Sequence, residues 1–153
     1  MDVQLINPFI NATLKVLETM AFVKAEAGKP FLKKDNTARG DVSGIIGFTG
    51  ETNGTVSVSF DESCILKIVS SMFGEEITET NSEITDAVGE IINMISGQAR
   101  QKLEEAGRIF HGAIPSVITG KNHILISTTT GPKFAIPFDT DAGSFTIEVC
   151  LEG

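Results

Sequence analysis

Glu90 and Asn93 stand three residues apart within the stretch from Asn81 to Gly107. On a helix turning about 100° per residue they fall on one side, one turn from each other. A carboxylate in that position can pair with a cation, and a carboxamide can orient a water molecule while staying neutral. Asp86 and Gly97 extend the same side by a turn at either end, giving the pattern D-x3-E-x2-N-x3-G. An acid and an amide at this spacing also describe an ordinary solvated helix face, so the surrounding elements must say more.

The stretch itself is predicted to be one long helix. Ile84, Val88, Ile91, Ile92, Ile95, Ala99 and Leu103 gather opposite the polar ridge, the spacing of a core-facing stripe. Asn81 or Ser82 can accept from the free amides of the first turn, Glu83 and Asp86 suit its positive end, and Gly107 supplies a stop.

Other chemistries find little support. No C-x2-C, H-E-x2-H, G-x-S-x-G or phosphate-cradling glycine loop occurs. His111 and His123 have no acid at ligand spacing, and Gly40, Gly44, Gly47 and Gly50 read as turns and tight strand packing. Cys64 and Cys150 sit in apolar segments and are expected to be buried free thiols. A formal charge of −8 disfavours nucleic acid and anionic membranes as partners. No apolar run approaches the roughly 18 residues that span a bilayer, and the expectation is a cytoplasmic protein.

With 153 residues, 41% of them hydrophobic, the chain is read as a single domain, 1–153, with one core. Residues 4–20 form an amphipathic helix with Phe9, Ile10, Leu14, Leu17 and Ala21 on one side and Pro8 in its first turn. A short strand is possible from Val23 to Glu26, before Gly28 and Pro30 break regular structure. Strands are expected at Val42–Thr49 and Thr55–Phe60 around a hairpin turn, followed by a short helix ending at Gly74. About four strands should follow the long helix: Arg108–His111 continuing near Ser116–Ile118, then His123–Thr129, Lys133–Phe138 and Ser144–Leu151. The last alternates, with Phe145, Ile147, Val149 and Leu151 on one face and Thr146, Glu148, Cys150 and Glu152 on the other. Thr55–Asp61 and Lys133–Asp139 also echo each other faintly.

The ridge pattern, followed by Pro115, resembles the signature of the CheC/CheX/FliY family of chemotaxis phosphatases. Ile6–Met20 likewise resembles the opening helix of the CheX branch. The resemblance covers most of the chain and implies an α/β (α+β), pseudo-symmetric domain in which a mixed, mostly antiparallel sheet packs against long helices. It implies hydrolysis of the aspartyl phosphate of a CheY-like response regulator, with Glu90 and Asn93 inserted into the partner's site and Asp86 and Gly97 aiding docking. On this reading the chain needs no cofactor of its own, and Mg2+ belongs to the response regulator. A homodimer through joined sheets is expected, with the Ser144–Leu151 strand as the available edge. Two alternatives stay open: a scaffold that binds a response regulator or flagellar-switch component without hydrolysis, and a phosphatase for a receiver outside chemotaxis.

Overall fold

The computed structural model describes residues 3–126 and 131–152. Three helices and eight strands follow in the order α1 (Val3–Ala21), β1 (Ala25–Ala27), β2 (Phe31–Leu32), β3 (Thr37–Gly50), β4 (Gly54–Phe60), α2 (Glu62–Phe73), α3 (Ser82–Glu105), β5 (Phe110–Gly112), β6 (Ser116–Ile126), β7 (Lys133–Thr140) and β8 (Gly143–Leu151). The strands form one sheet in the order β1-β7-β8-β4-β3-β5. β2 joins β7 beside β1, and β6 joins β3 beside β5. Among the described residues every pairing is antiparallel.

One core unites the helices with one face of the sheet. It takes Ile84, Val88, Ile91, Ile92, Ile95, Ala99 and Leu103 from α3, and Leu5, Ile6, Phe9, Val16, Leu17 and Ala21 from α1. Ile10 and Leu14, expected on the inner side of α1, sit at its margin, because α1 packs chiefly along α3 and only lightly against α2 and the edge strand β1. Pro8 lies inside α1 rather than in its first turn, since the helix already starts at Val3. No described helix is long and apolar enough to cross a membrane.

The echo between Thr55–Asp61 and Lys133–Asp139 has a structural counterpart. Val56 and Phe134 both pair with Val149, Val58 and Ile136 with Ile147, and Phe60 and Phe138 with Phe145. β4 and β7 therefore flank β8 at matching rungs. Phe145 contacts the rings of both Phe60 and Phe138, with centroids 5.0 and 5.1 Å away. The same central neighbour and the same core impose the same alternation on both strands.

That arrangement corrects one expectation. β8 is not an edge: β7 and β4 cover both of its sides. Its second face is largely covered as well: Glu148 and Cys150 are buried and Thr146 is half-buried, and only Glu152, past the end of the strand, is exposed. Clean alternation marks which residues face the core, but it does not say where a strand stands in its sheet. The edges belong to the short β1 and β2, which pair with β7, and to β5 and the much longer β6, which pair with β3, each with one partner among the described residues. β6 fuses the two strands expected at 116–118 and from 123 onward, and the rest of that expected strand, 127–129, lies outside the described residues. A bulge between Gly40 and Val42 lets β3 begin at Thr37, earlier than the expected Val42, and follow β6 along its length.

Candidate functional site

The site is built on α3, and the sequence fixes that helix at both ends. Asn81 Oδ1 accepts from the amides of Glu83 at 3.0 Å and Ile84 at 3.3 Å, capping the first turn. At the other end Gly107 adopts φ 84°, and the Arg108 amide returns to the Leu103 carbonyl at 2.8 Å. Beneath the helix, Gly44 of β3 leaves room for close contact. A Cβ there would stand 3.1 Å from Val88 Cγ1 and Ile92 Cγ2. The glycine lets two α3 side chains rest almost on the β3 backbone, so α3 is seated on the sheet at the level of the ridge.

On the outward face the structure brings together the residues picked out by spacing. Asp86, Glu90 and Asn93 are exposed, and Gly97 is partly so. No hydrogen bond or ion pair ties the side chains of Asp86, Glu90 or Asn93 to any other described residue. A carboxylate and a carboxamide, one turn apart and about 5–6 Å apart at Cβ, thus face outward with their full bonding capacity unused. Gly97 is not demanded by internal packing. The nearest atom to a Cβ placed there would be Arg100 Nη2, at 3.9 Å. The missing side chain keeps that part of the ridge low.

Two neighbouring segments frame the ridge. On one side α1 packs along the second half of α3, leaving a polar groove between Asn11 and Lys15 of α1 and Gln98, Gln101 and Glu105 of α3. On the other side runs the β5–β6 connection. Gly112 lies against the Arg100 guanidinium, and Val117 Cγ2 would meet a Cβ on Gly89 at 3.5 Å. Pro115 lies in the segment between these two points of contact with α3. Ala113 fastens the connection to β3 through a 3.0 Å bond from its amide to the Gly47 carbonyl.

Arg100 was not among the residues selected from the sequence. It lies seven positions beyond Asn93, so helical spacing was the available signal, but a cation in the second half of a helix also reads as complementing the helix dipole.

His123 and both cysteines are occupied or shielded, whereas His111 is exposed on β5. His123 Nε2 lies 2.8 Å from Ser43 Oγ, and its Nδ1 lies 2.9 Å from the Gly120 carbonyl. Ser43, which also bonds Ser59 Oγ at 3.0 Å, is fully buried, so this pair presents nothing to a substrate. Cys64 and Cys150 are free and buried. Burial, reinforced by Asp61, pushes the Cys64 thiol up to about 12, far from a reactive thiolate.

Comparison with known proteins agrees with this geometry. Residues 42–139 match the protein family described as chemotaxis phosphatase CheX. The CheY-P phosphatase CheX of Thermotoga maritima is 28% identical over 123 residues, covering 80% of this chain and 79% of that protein. The crystal structure of a chemotaxis protein CheX from Desulfovibrio desulfuricans superposes with a TM-score of 0.92 at 48% identity, covering 97% of this chain and 99% of the other. CheX in the CheX–CheY–BeF3–Mg2+ complex of Borrelia burgdorferi superposes with a TM-score of 0.83 at 27% identity, covering 97% of each chain. The chain described here belongs to the CheX family of chemotaxis phosphatases.

Proposed function

We propose that this protein is a cytoplasmic phosphatase that hydrolyses the aspartyl phosphate of a CheY-like response regulator, presenting α3 to the partner's active site. The observation that carries this reading is the ridge itself: Glu90 and Asn93 are exposed and unpartnered on a helix whose opposite face is locked into the core. A helix seated so firmly can place two side chains in another protein's cleft without first becoming ordered, which lowers the entropic cost of positioning. The named Thermotoga and Borrelia relatives support CheY as the kind of partner.

Hydrolysis of an aspartyl phosphate requires a water in line with the bond to the leaving carboxylate, together with stabilisation of charge on the transferred group. Asn93 supplies the orientation: its carbonyl oxygen accepts from the water and its amide donates toward the phosphoryl oxygens. Glu90, a turn earlier, pairs with a lysine of the receiver and sets the angle of α3. Asp86 adds a contact at the near end of the ridge, and Gly97 lets the partner backbone come close. The phosphorylated aspartate and Mg2+ belong to the receiver. This chain contributes the amide, the carboxylate and the surface that holds them.

The assembly we propose is a homodimer joined through β6. This strand is 11 residues long, its outer side has no partner among the described residues, and Ile124 and Ile126 are largely exposed beside it. Such an edge favours pairing with a second copy. A monomeric mass by light scattering at tens of micromolar would remove the dimer.

The phosphatase is tested by following loss of phosphate from a purified CheY protein of the source organism after phosphorylation with a small-molecule donor. Wild-type protein accelerates the loss. Asn93→Ala lowers kcat by about a hundredfold, or about 3 kcal/mol of barrier, while binding of the beryllofluoride-activated receiver persists. Binding without acceleration by the wild-type protein would make it a scaffold, and full turnover by Asn93→Ala would overturn the assigned role.

A further inference from the structure

Arg100 is held at the far end of the ridge by contacts that use only part of its bonding capacity. Its Nε donates to Ser96 Oγ at 3.2 Å, one turn back along α3. The side chain therefore leans toward the helix N-terminus, as helical side chains do, and its guanidinium lies near the level of Gly97, about one turn past Asn93. Two glycines form the slot. A Cβ on Gly112 would lie 2.6 Å from Nη2 and 2.7 Å from Cζ, and one on Gly97 3.9 Å from Nη2. Only a residue without a side chain at 112 lets the guanidinium lie flat against β5.

Among the described residues neither η nitrogen has an acceptor, and no carboxylate pairs with the group. A guanidinium carries five N–H donors in a fixed fork, and one is engaged here. Arg100 is half-buried, so its charge is partly dried and its rotamer is already fixed. Such a group binds a planar carboxylate through two parallel bonds at little further entropic cost.

Resting on the reading of α3 as the partner-facing helix, we propose that Arg100 is an additional partner-contacting residue whose η nitrogens engage a surface carboxylate beside the receiver's phosphorylation site. The ridge then runs from an anion at Glu90, through a neutral amide at Asn93, to a cation at Arg100. A lysine on the receiver meets the first, and an acidic side chain meets the last. Two contacts of opposite sign on either side of the catalytic amide fix the direction of docking, because a reversed helix would set like charges against each other. A carboxylate suits the distal position better than the phosphoryl group, which Asn93 meets a turn earlier. A purely internal role, with Arg100 clamping β5 and complementing the helix dipole, predicts different behaviour.

The test uses the CheY protein of the source organism, beryllofluoride-activated for binding and phosphorylated for turnover, with Arg100→Gln as the main variant. Glutamine keeps the stem and can still bond Ser96, so the fold is maintained. The expected result is Kd and KM raised about tenfold, kcat changed by less than about threefold, and a shallower dependence of Kd on salt. Arg100→Lys restores the salt dependence and part of the affinity, because it returns the charge without the fork. Wild-type Kd and KM in Arg100→Gln, alongside loss of turnover in Asn93→Ala, would overturn this inference alone. A lowered Tm with unchanged Kd would leave only the internal clamp. Failure of the wild-type protein to act on or bind any CheY would overturn both this inference and the phosphatase reading.

Discussion

α3 and β8 both look two-faced in sequence, yet only α3 keeps its polar side in solvent. Its inner stripe, from Ile84 to Leu103, is buried, whereas Asp86, Glu90 and Asn93 stand free on the outside. β8 alternates just as cleanly, but Glu148 and Cys150 on its second face are nearly as buried as Ile147 and Val149 on its first. The difference comes from position. A helix in the outermost layer has water beyond it. A strand with β7 and β4 on either side has its second face hemmed in by neighbours, and here Lys33, just beyond β2, reaches over to Glu148 at 3.2 Å. Polar alternation therefore locates a candidate site on α3 and would misplace one on β8.

The largest effect expected from this contrast is on the inner face of α3. Ile92 is fully buried and its Cγ2 packs against Gly44. Ile92→Ala removes buried methyl groups and opens a cavity where helix and sheet are closest, at a cost of about 2–5 kcal/mol. Urea unfolding should show the midpoint falling with little change in slope. A loss below about 1 kcal/mol would mean that α3 is seated less firmly than the contact distances indicate.

On the outer face the same helix should respond in the opposite way. Glu90→Lys leaves stability within about 0.5 kcal/mol, since the side chain is exposed and makes no hydrogen bond or ion pair with any described residue. It sets a cation against the receiver's lysine, and affinity for the activated receiver should fall by about ten- to a hundredfold. Unchanged affinity would end the docking role of Glu90, whereas a large drop in stability would show that the ridge is not the free surface described.

Much of this was legible in the sequence. Asn81, the isoleucine stripe and Gly107 define α3 through local rules, and local rules were enough to predict its ends and faces. The ridge residues followed from the same periodicity, and their meaning came from a family resemblance that the comparisons bear out. Long-range placement was not legible. Nothing in Ser144–Leu151 says that β4 and β7 lie on both sides of it, and nothing near Gly120 says that two short strands fuse into β6 around Asn122, which takes φ 53°. The two-residue β2 escaped notice because it owes its existence to pairing with Phe134 and Ala135, not to any pattern of its own. Arg100 was missed for a related reason: its slot is completed by Gly112, from a different element.

The smallest effect sharpens the β8 half of the comparison and depends on pH. Burial raises the pKa of Glu148, and its pairing with Lys33 only partly offsets that. Lys33 also donates to the Thr37 carbonyl, so its ammonium is held in place whichever form Glu148 takes. The native state therefore holds the Glu148 proton to a higher pH than the unfolded chain does. As pH rises from the usual glutamate range near about 4.3 through the raised native value, stability contributed at this position should fall. Glu148→Gln, which cannot ionise, should match wild type near pH 4 and become relatively more stable as pH approaches 7. Urea midpoints for the two proteins at intervals across that range would show the curves diverging upward. Asp41 does not confuse the result. Its carboxylate accepts from the amides of Asn122 and Glu62, each at 2.7 Å, which lowers its pKa, so its stabilising contribution is present across this range and is lost only in more acidic solution. Curves that diverged the other way, with wild type gaining on Glu148→Gln as pH rises, would mean that the bridge to Lys33 outweighs the cost of burying the charge. The second face of β8 would then be held together by its ion pair rather than merely tolerating it.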